Sequence, residues 1–435
     1  MTTAPHPATR PDHDGAADAA HRVRVDPTRW PDVARVPSSG LRAAIAERLF
    51  DDVVRRLDVR VELPGGRVAG RGGPDAPVLV LHRPLDFAHR VGATGLIGFG
   101  ESFMAGDWDA PDLAGVLTVF ARQMDSLVPP RLQAFRRLAV KALPSAHQGS
   151  QANTRRNISA HYDLSNEMFE LFLDPTMTYS SALFSRDDDH LSDADALQAG
   201  QVRKIERLLD AAHVGAGSTV LEIGTGWGEL ALRAAARGAR VRSITLSVEQ
   251  AELARRRIEA AGLDDLVEIE ICDYRDTTGH YDAVVSVEMI EAVGHAYWRD
   301  YFSTLSARTA PGGRAVIQAI TMPHARMLAT RDTFTWIQKY VFPGGFLPST
   351  ESITADALEA GLVVQERLTF GQHYARTLRI WRDRFEARAA DVDAAGFDEV
   401  FRRMWRLYLA YSEAGFASTY LDVQQVVMTH PRGDR

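Results

Sequence analysis

The stretch Val220-Leu-Glu-Ile-Gly-Thr-Gly-Trp-Gly228 constrains the fold more than any other part of this chain. Val220 to Ile223 reads as a short buried strand and Glu229 to Arg237 as a helix. Between them the glycines alternate as G-x-G-x-G, so the backbone can turn sharply and pass close to a ligand with no Cβ in the way. A Gly-rich turn joining a first strand to a first helix is where open α/β sheets hold adenosine-containing ligands. A tight strand–helix turn with no ligand is the alternative, and its neighbours along the chain weigh against it.

Those neighbours repeat the alternation. Strand and helix patterns follow at Val241–Leu246, 248–261, Val267–Ile271, Ala283–Val287, 296–308 and Arg314–Thr321, where the series ends. Such alternation means βαβ units and a mostly parallel sheet with helices on both faces, an α/β Rossmann-like domain over 158–435. Upstream, Leu41 to Leu57 has helical apolar spacing. Val59 to Leu63 alternates into the hairpin signal Pro64-Gly65-Gly66, Val78 to Leu81 is a further strand, and Pro111 opens a helix. Residues 36–143 thus read as a smaller N-terminal α+β domain, 144–157 as a linker and 1–35 as a disordered tail. Pro129 to Leu143 places Arg131, Arg136, Arg137 and Lys141 around an apolar stripe. That pattern suits docking on an anionic bilayer surface and equally suits an ordinary surface helix.

A formal net charge of −7 argues against general nucleic-acid binding. One cysteine, Cys272, rules out an intramolecular disulfide and a cysteine-based metal cluster, and no metal site is expected. No apolar run approaches the ~18 residues of a membrane span. The first twenty residues lack the apolar core of a secretory signal, so a cytoplasmic location is expected.

In a sheet of this kind the ligand lies across the carboxyl ends of the strands. Thr245, Leu246 and Gln250 then fall near the ribose and methionine ends of an adenosine-type cofactor. Asp273 can accept from an adenine amino group or cap its own loop, Tyr274 can cover the ring, and Arg275 lies beside them. The turn, with Glu222 two places before Gly224, resembles motif I of the S-adenosylmethionine (SAM) methyltransferases.

Further stretches are similar to one family within them. They are 161–173 (His-Tyr-Asp-Leu-Ser-Asn-Glu-Met-Phe-Glu-Leu-Phe-Leu), Met177-Thr-Tyr-Ser-Ser-Ala-Leu-Phe184, Ser286-Val-Glu-Met-Ile-Glu-Ala-Val-Gly294, Tyr340-Val-Phe-Pro-Gly-Gly345 and Phe370-Gly-Gln-His-Tyr374. With the cofactor motifs they resemble the cyclopropane fatty acyl phospholipid synthases and mycolic acid methyltransferases over 155–430, and Gly95 to Leu113 resembles the N-terminal domain of the two-domain synthases. The resemblance implies methyl transfer from SAM to the double bond of an unsaturated acyl chain on a membrane phospholipid, through a carbocation.

It also implies roles. Tyr179 and Ser180 should close over the cofactor beside Gly224, Gly226, Trp227 and Gly228. Glu291 should sit at the reacting carbon with Tyr374 opposite. Tyr162, Phe184, Trp336, Tyr340 and Phe342 should line an apolar tunnel, core packing being the other explanation of these aromatics. In the cyclopropane synthases a bicarbonate is the base, held by a Cys, a Glu, a His, a Tyr and a backbone group. Here Ser181 stands for the Cys and Gln318 for the His, and Ala292 replaces the usual His after Glu291. Those changes put bicarbonate and a cyclopropane product in question. They favour the sister activity of the actinobacterial enzymes, a 10-methylene acyl chain on the way to tuberculostearic acid, completed by a separate reductase. A cyclopropane synthase, a small-molecule methyltransferase and a non-catalytic lipid-binding protein are the competing readings, and a homo-oligomer is compatible with all of them.

Overall fold

A computed structural model describes residues 23–123 and 166–431. Two compact units emerge. One comprises the chain up to Val116 with Asp398–Met404, the other Leu117–Phe397 with Trp405 onward. Tyr162, Arg131, Arg136, Arg137, Lys141 and the expected linker lie outside the described residues.

The first unit contains α1 (Pro31–Ala34), α2 (Leu41–Val54), α3 (Pro84–Thr94) and α4 (Leu96–Met104). Its four-stranded sheet has the order β2 (Arg67–Ala69), β1 (Arg60–Leu63), β3 (Val78–Leu81), β4 (Trp108–Asp109). The β1–β2 hairpin forms around Pro64-Gly65-Gly66, where both glycines have positive φ. The helix expected from Pro111 begins at Leu113.

The tail expectation needs correcting at its C-terminal end. Residues 23–35 are ordered, with Val33 fully buried. The cause lies far along the sequence, at a buried arginine. Arg90 donates through Nη2 to the Val33 carbonyl at 2.7 Å and through Nη1 to those of Asp32 and Arg35, while its Nε pairs with Asp107 at 3.0 Å. Burial pushes the Asp107 carboxyl up, and Arg90 and Arg83 oppose that rise. Removing one partner of a buried pair costs about 3–5 kcal/mol. Arg90→Met should therefore cost about that much, visible as a lower urea midpoint and as new protease cleavage within 23–35. An unchanged midpoint would detach this residue from the order of the segment.

The second unit is built on a seven-stranded sheet of order β10-β11-β9-β8-β5-β6-β7. Its strands are β5 (Thr219–Ile223), β6 (Arg240–Thr245), β7 (Val267–Ile271), β8 (Tyr281–Val287), β9 (Thr309–Thr321), β10 (Val363–Thr369) and β11 (Asp422–Thr429). The strands from β5 to β9 pair in parallel, as their alternation with helices requires. Alternate residues serve two cores. Val220, Val241 and Val285 face α5 (Asp193–Ala211), α6 (Glu229–Ala236) and α7 (Val248–Ala260), whereas Leu221, Ile244 and Val284 face α8 (Trp298–Arg308) on the other side. The series does not stop at Thr321. Strand β11 inserts antiparallel between β9 and β10, and its register sets Gln425 directly opposite Gln318.

Candidate active site at the carboxyl ends of the parallel strands

Each of β5 to β8 stops at the rim of one cavity, and the residue types at the stops differ. After β5 come Gly224, Thr225, Gly226 and Trp227; β6 delivers Thr245 and Leu246, with Gln250 on α7; β7 delivers Cys272, Asp273 and Tyr274; β8 delivers Glu288 and Met289. Met177 to Ser180, Lys204 of α5, Glu222 and Ala292 also line it.

The three glycines serve different ends. A Cβ on Gly224 would stand 2.7 Å from Met289 Cγ, and one on Gly228 3.0 Å from Ala254 Cβ, so Gly228 packs α6 on α7 and does not border the cavity. At Gly226 (φ +53°) a Cβ would meet nothing within 4 Å, since the backbone there faces open space. Glu222 is buried and accepts from Ser243 Oγ at 2.5 Å; burial pushes its carboxyl up to about 8. A bare backbone cradle with a buried hydrogen-bonding acid beside it fits an adenosine-containing ligand. Thr245 Oγ1 bonds the Gln250 side chain at 3.1 Å. Asp273 is occupied within its own loop, accepting from the backbone and guanidinium of Arg275, so loop capping is its evident role. Arg275 does not border the cavity and lies over the Tyr274 ring at 5.3 Å.

The segment carrying Tyr179 and Ser180 is pinned from behind. Gln201 donates to the carbonyls of Thr178 and Ser180, and Lys204 Nζ donates to Ser180 Oγ at 2.5 Å. Burial pushes the Lys204 ammonium down to about 8, with Glu288 opposing. Tyr179 Oη meets Tyr408 Oη at 2.7 Å, and its ring packs at 5.1 Å from Phe169 and 5.3 Å from Trp381.

The polar centre converges on a residue other than the expected one. Ser181, Gln318 and Tyr374 do come together, but around Glu288. The Ser181 N–H donates to Glu288 Oε1 at 3.0 Å, Gln318 Nε2 to the same oxygen at 2.8 Å, and Tyr374 Oη to Oε2 at 2.7 Å. The Ser181 hydroxyl takes no part and donates to the Ala182 carbonyl. Glu288 has φ +50°, a left-handed conformation that a side chain of this type adopts only at a cost of about 1–3 kcal/mol. Burial pushes its carboxyl up, while Lys204, the Ser181 N–H, Tyr374 and Gln318 pull the other way.

Glu291 does not border the cavity. Its Oε1 accepts from the Ile320 N–H at 2.5 Å, and burial and the Glu288 charge push its carboxyl up to about 8. The donors expected to hold a bicarbonate are already engaged by Glu288, so a second anion does not fit among them. The sequence signal for Glu288 was its place immediately after β8, in Val287-Glu-Met289, where a side chain enters the ligand crevice.

Of the expected tunnel aromatics, the described ones, Phe184, Trp336, Tyr340 and Phe342, do not line this cavity. Phe184 lies beneath Arg376 at 4.4 Å, Trp336 packs on Tyr340 at 5.7 Å, and Phe342 packs on Tyr408 at 5.6 Å. The rings around Tyr374 are Phe416, stacked at 4.5 Å, and Trp381, edge-on at 6.2 Å.

Residues 149–426 match the family model described as mycolic acid cyclopropane synthetase. The chain belongs to that family. The tuberculostearic acid methyltransferase UfaA1 of Mycobacterium tuberculosis is 54% identical over 92% of this chain and 95% of its own length. The cyclopropane-fatty-acyl-phospholipid synthase of Escherichia coli is 33% identical over 81% of this chain and 88% of its own. Among solved structures, the mycolic acid cyclopropane synthase CmaA1 complexed with SAH and CTAB superposes with a TM-score of 0.57 at 29% identity, covering 63% of this chain and 97% of that one. As a member of this family the chain is an enzyme with a SAM-methyltransferase fold, in agreement with the α/β class and the methyltransferase motifs read from the sequence. Among the described residues no helix is long and apolar enough to cross a membrane, and no group of His, Cys, Asp and Glu is placed to hold a metal.

Proposed function

We propose that this chain is a SAM-dependent C-methyltransferase that acts on the double bond of an oleoyl phospholipid and yields a 10-methylene acyl chain. The observation that carries the reading is the Glu288 carboxylate, held by Ser181, Gln318 and Tyr374 at the cavity. The cofactor, when bound among Gly224, Gly226, Glu222, Thr245, Gln250 and Tyr274, supplies an electrophilic methyl group. The protein's own tasks are to keep water out, tolerate a positive acyl carbon and remove one proton. Tyr179, which borders the cavity, presents an aromatic face suited to a cation. Glu288 takes the proton.

Product choice follows from the base being part of the chain. A free anion over the added methyl would remove its proton at once and close a ring. Three donated hydrogen bonds hold down the basicity of the Glu288 carboxylate, so the cation lasts long enough for its charge to move. A hydride shifts from the methyl-bearing carbon to its neighbour, the charge moves onto the methyl-bearing carbon, and loss of a methyl proton to Glu288 leaves C=CH2. Reaching the 10-methyl chain then requires a reductase. Proton NMR of lipids from a host fed oleate and expressing the chain decides the product. Vinylidene signals are expected; high-field cyclopropane signals as the main product would overturn this reading.

The substrate's location implies a peripheral enzyme at the inner face of a membrane. Helix α2 supports this with Leu41, Ile45 and Leu49, spaced four residues apart and 78%, 50% and 36% exposed, beside the exposed Arg42 and Arg48. Co-sedimentation with vesicles of anionic phospholipid is expected to drop several-fold in L41S/I45S and in high salt. Binding indifferent to both would remove α2 from the docking surface.

A further inference from the structure

Behind the carboxylate lies a chain of hydrogen bonds that runs out to the flank of the domain. Gln318 reaches Glu288 with one end of its amide and Gln425 with the other, and both glutamines are buried. Gln425 in turn meets Arg207, a half-buried arginine of α5 that also pairs with Glu366 of β10. The two ends of a glutamine amide are nearly alike in shape and opposite in hydrogen-bonding sense, so orientation is set by partners.

Here the partners leave one arrangement. An arginine only donates, so the Gln425 atom facing Arg207 is the oxygen. Its Nε2 is then turned inward, where it meets two acceptors, the Lys204 carbonyl at 3.2 Å and Gln318 Oε1 at 3.0 Å. That in turn leaves Gln318 Nε2 facing Glu288 at 2.8 Å. Were Gln318 reversed, its oxygen would face a carboxylate oxygen, an arrangement that suits only a protonated Glu288.

We propose that Gln425, oriented by Arg207, is a positioning residue that fixes the Gln318 amide with its N–H toward Glu288 and so keeps Glu288 an ionised acceptor. Neither residue borders the cavity. Both act through Gln318, and the strand register makes this geometry possible by setting Gln425 against Gln318. The inference deepens the reading of Glu288 as the base and rests on it for its bearing on turnover. The other titratable groups facing Glu288 are Lys204 from α5, Tyr374 from the helix Gly371–Ala387 and Glu291 from the turn after β8. None of them contacts Gln425 through its side chain among the hydrogen bonds of the described residues.

The test reads the protonation of Glu288 directly. Infrared difference spectra of the full chain, parent against Glu288→Gln, isolate the carboxyl band of this residue, and a pH titration gives its midpoint. In Gln425→Glu, which still accepts from Arg207 but cannot donate to Gln318, the midpoint should rise by about one pH unit or more. In Gln425→Met, which is neutral, it should rise in the same direction. The acid limb of kcat should move with it, while KM for the lipid and affinity for S-adenosylhomocysteine stay within a few-fold. Arg207→Lys, which keeps a donor, should retain the parent midpoint. A rise confined to Gln425→Glu would be a charge effect and would overturn the proposal, as would an unmoved midpoint in both variants. If neither Gln425 variant folds, Arg207→Met reads the same midpoint from the outer end of the chain, where an unmoved value overturns the proposal. Because the band reports titration and not turnover, it stands apart from the reading of the base. Full turnover in Glu288→Gln would remove that reading and leave the positioning result to be judged on the midpoint alone.

Discussion

Glu288→Gln is expected to lower turnover on the order of a thousandfold while leaving cofactor affinity within a few-fold of the parent, which is the usual scale for losing a positioned base. The replacement is nearly isosteric: with its oxygen at the Oε1 position it still accepts from the Ser181 N–H and Gln318, and its amide N–H can donate to Tyr374 Oη, so the loss falls on proton removal. Glu291→Gln is the companion variant. Burial and the neighbouring Glu288 hold the Glu291 carboxyl up to about 8, so at neutral pH it is largely protonated already, and its Ile320 contact survives in an amide. Its turnover should stay within about tenfold, well short of what loss of a base removes. Single-turnover assays on oleoyl phospholipid vesicles measure both. A thousandfold loss in Glu291→Gln with near-parent Glu288→Gln would return the role to Glu291. The pH profile carries the same sign. A base must be ionised, so kcat falls as pH drops through the Glu288 pKa, and burial sets that limb above the ordinary glutamate range.

Gly226→Val should abolish measurable binding of S-adenosylhomocysteine, a loss of at least about a hundredfold, since occupying a pocket's space excludes its ligand outright. The backbone at Gly226 has φ +53°, which a β-branched residue resists, and the new side chain would project into the open space beside that backbone. The first unit is untouched by the change, so far-UV circular dichroism should hold. Titration calorimetry gives the affinity. Near-parent binding by a folded variant would take this turn out of the cofactor site.

Most of the parallel sheet could be read from the sequence because its strands each carry buried Val, Leu or Ile residues and stand between amphipathic helices. Val220–Ile223, Val241–Leu246 and Val267–Ile271 were each placed to within a residue or so. Strand β11 was missed because Gln424 and Gln425 interrupt its apolar run, although both are fully buried. Their amides are satisfied by residues distant in sequence, which no local pattern records. Strand β10 was missed because it leaves most of its side chains partly or fully exposed. The segment 23–35 looked like tail from its composition, and the arginine that orders it stands some sixty residues on. At the site, the motif spacing brought Ser181, Gln318 and Tyr374 into one place but grouped Glu291 with them, three residues from the carboxylate that the structure puts there. The expectation followed the family's arrangement, in which the acceptor is a separate ion. A side chain that takes the ion's place is visible only once the donors are seen pointing at it.

The left-handed backbone at Glu288 means that this position is held against its own preference. A glycine there would relax the backbone and would spare the fold a buried carboxylate. Selection for a sturdier fold and selection for turnover therefore oppose each other at this one residue. Descendants that abandon the reaction should drift toward glycine or asparagine at 288, and a stability screen blind to activity should enrich the same substitutions. Persistence of an acid at this position through such a screen would mean that the bonds it accepts outweigh the strain it bears.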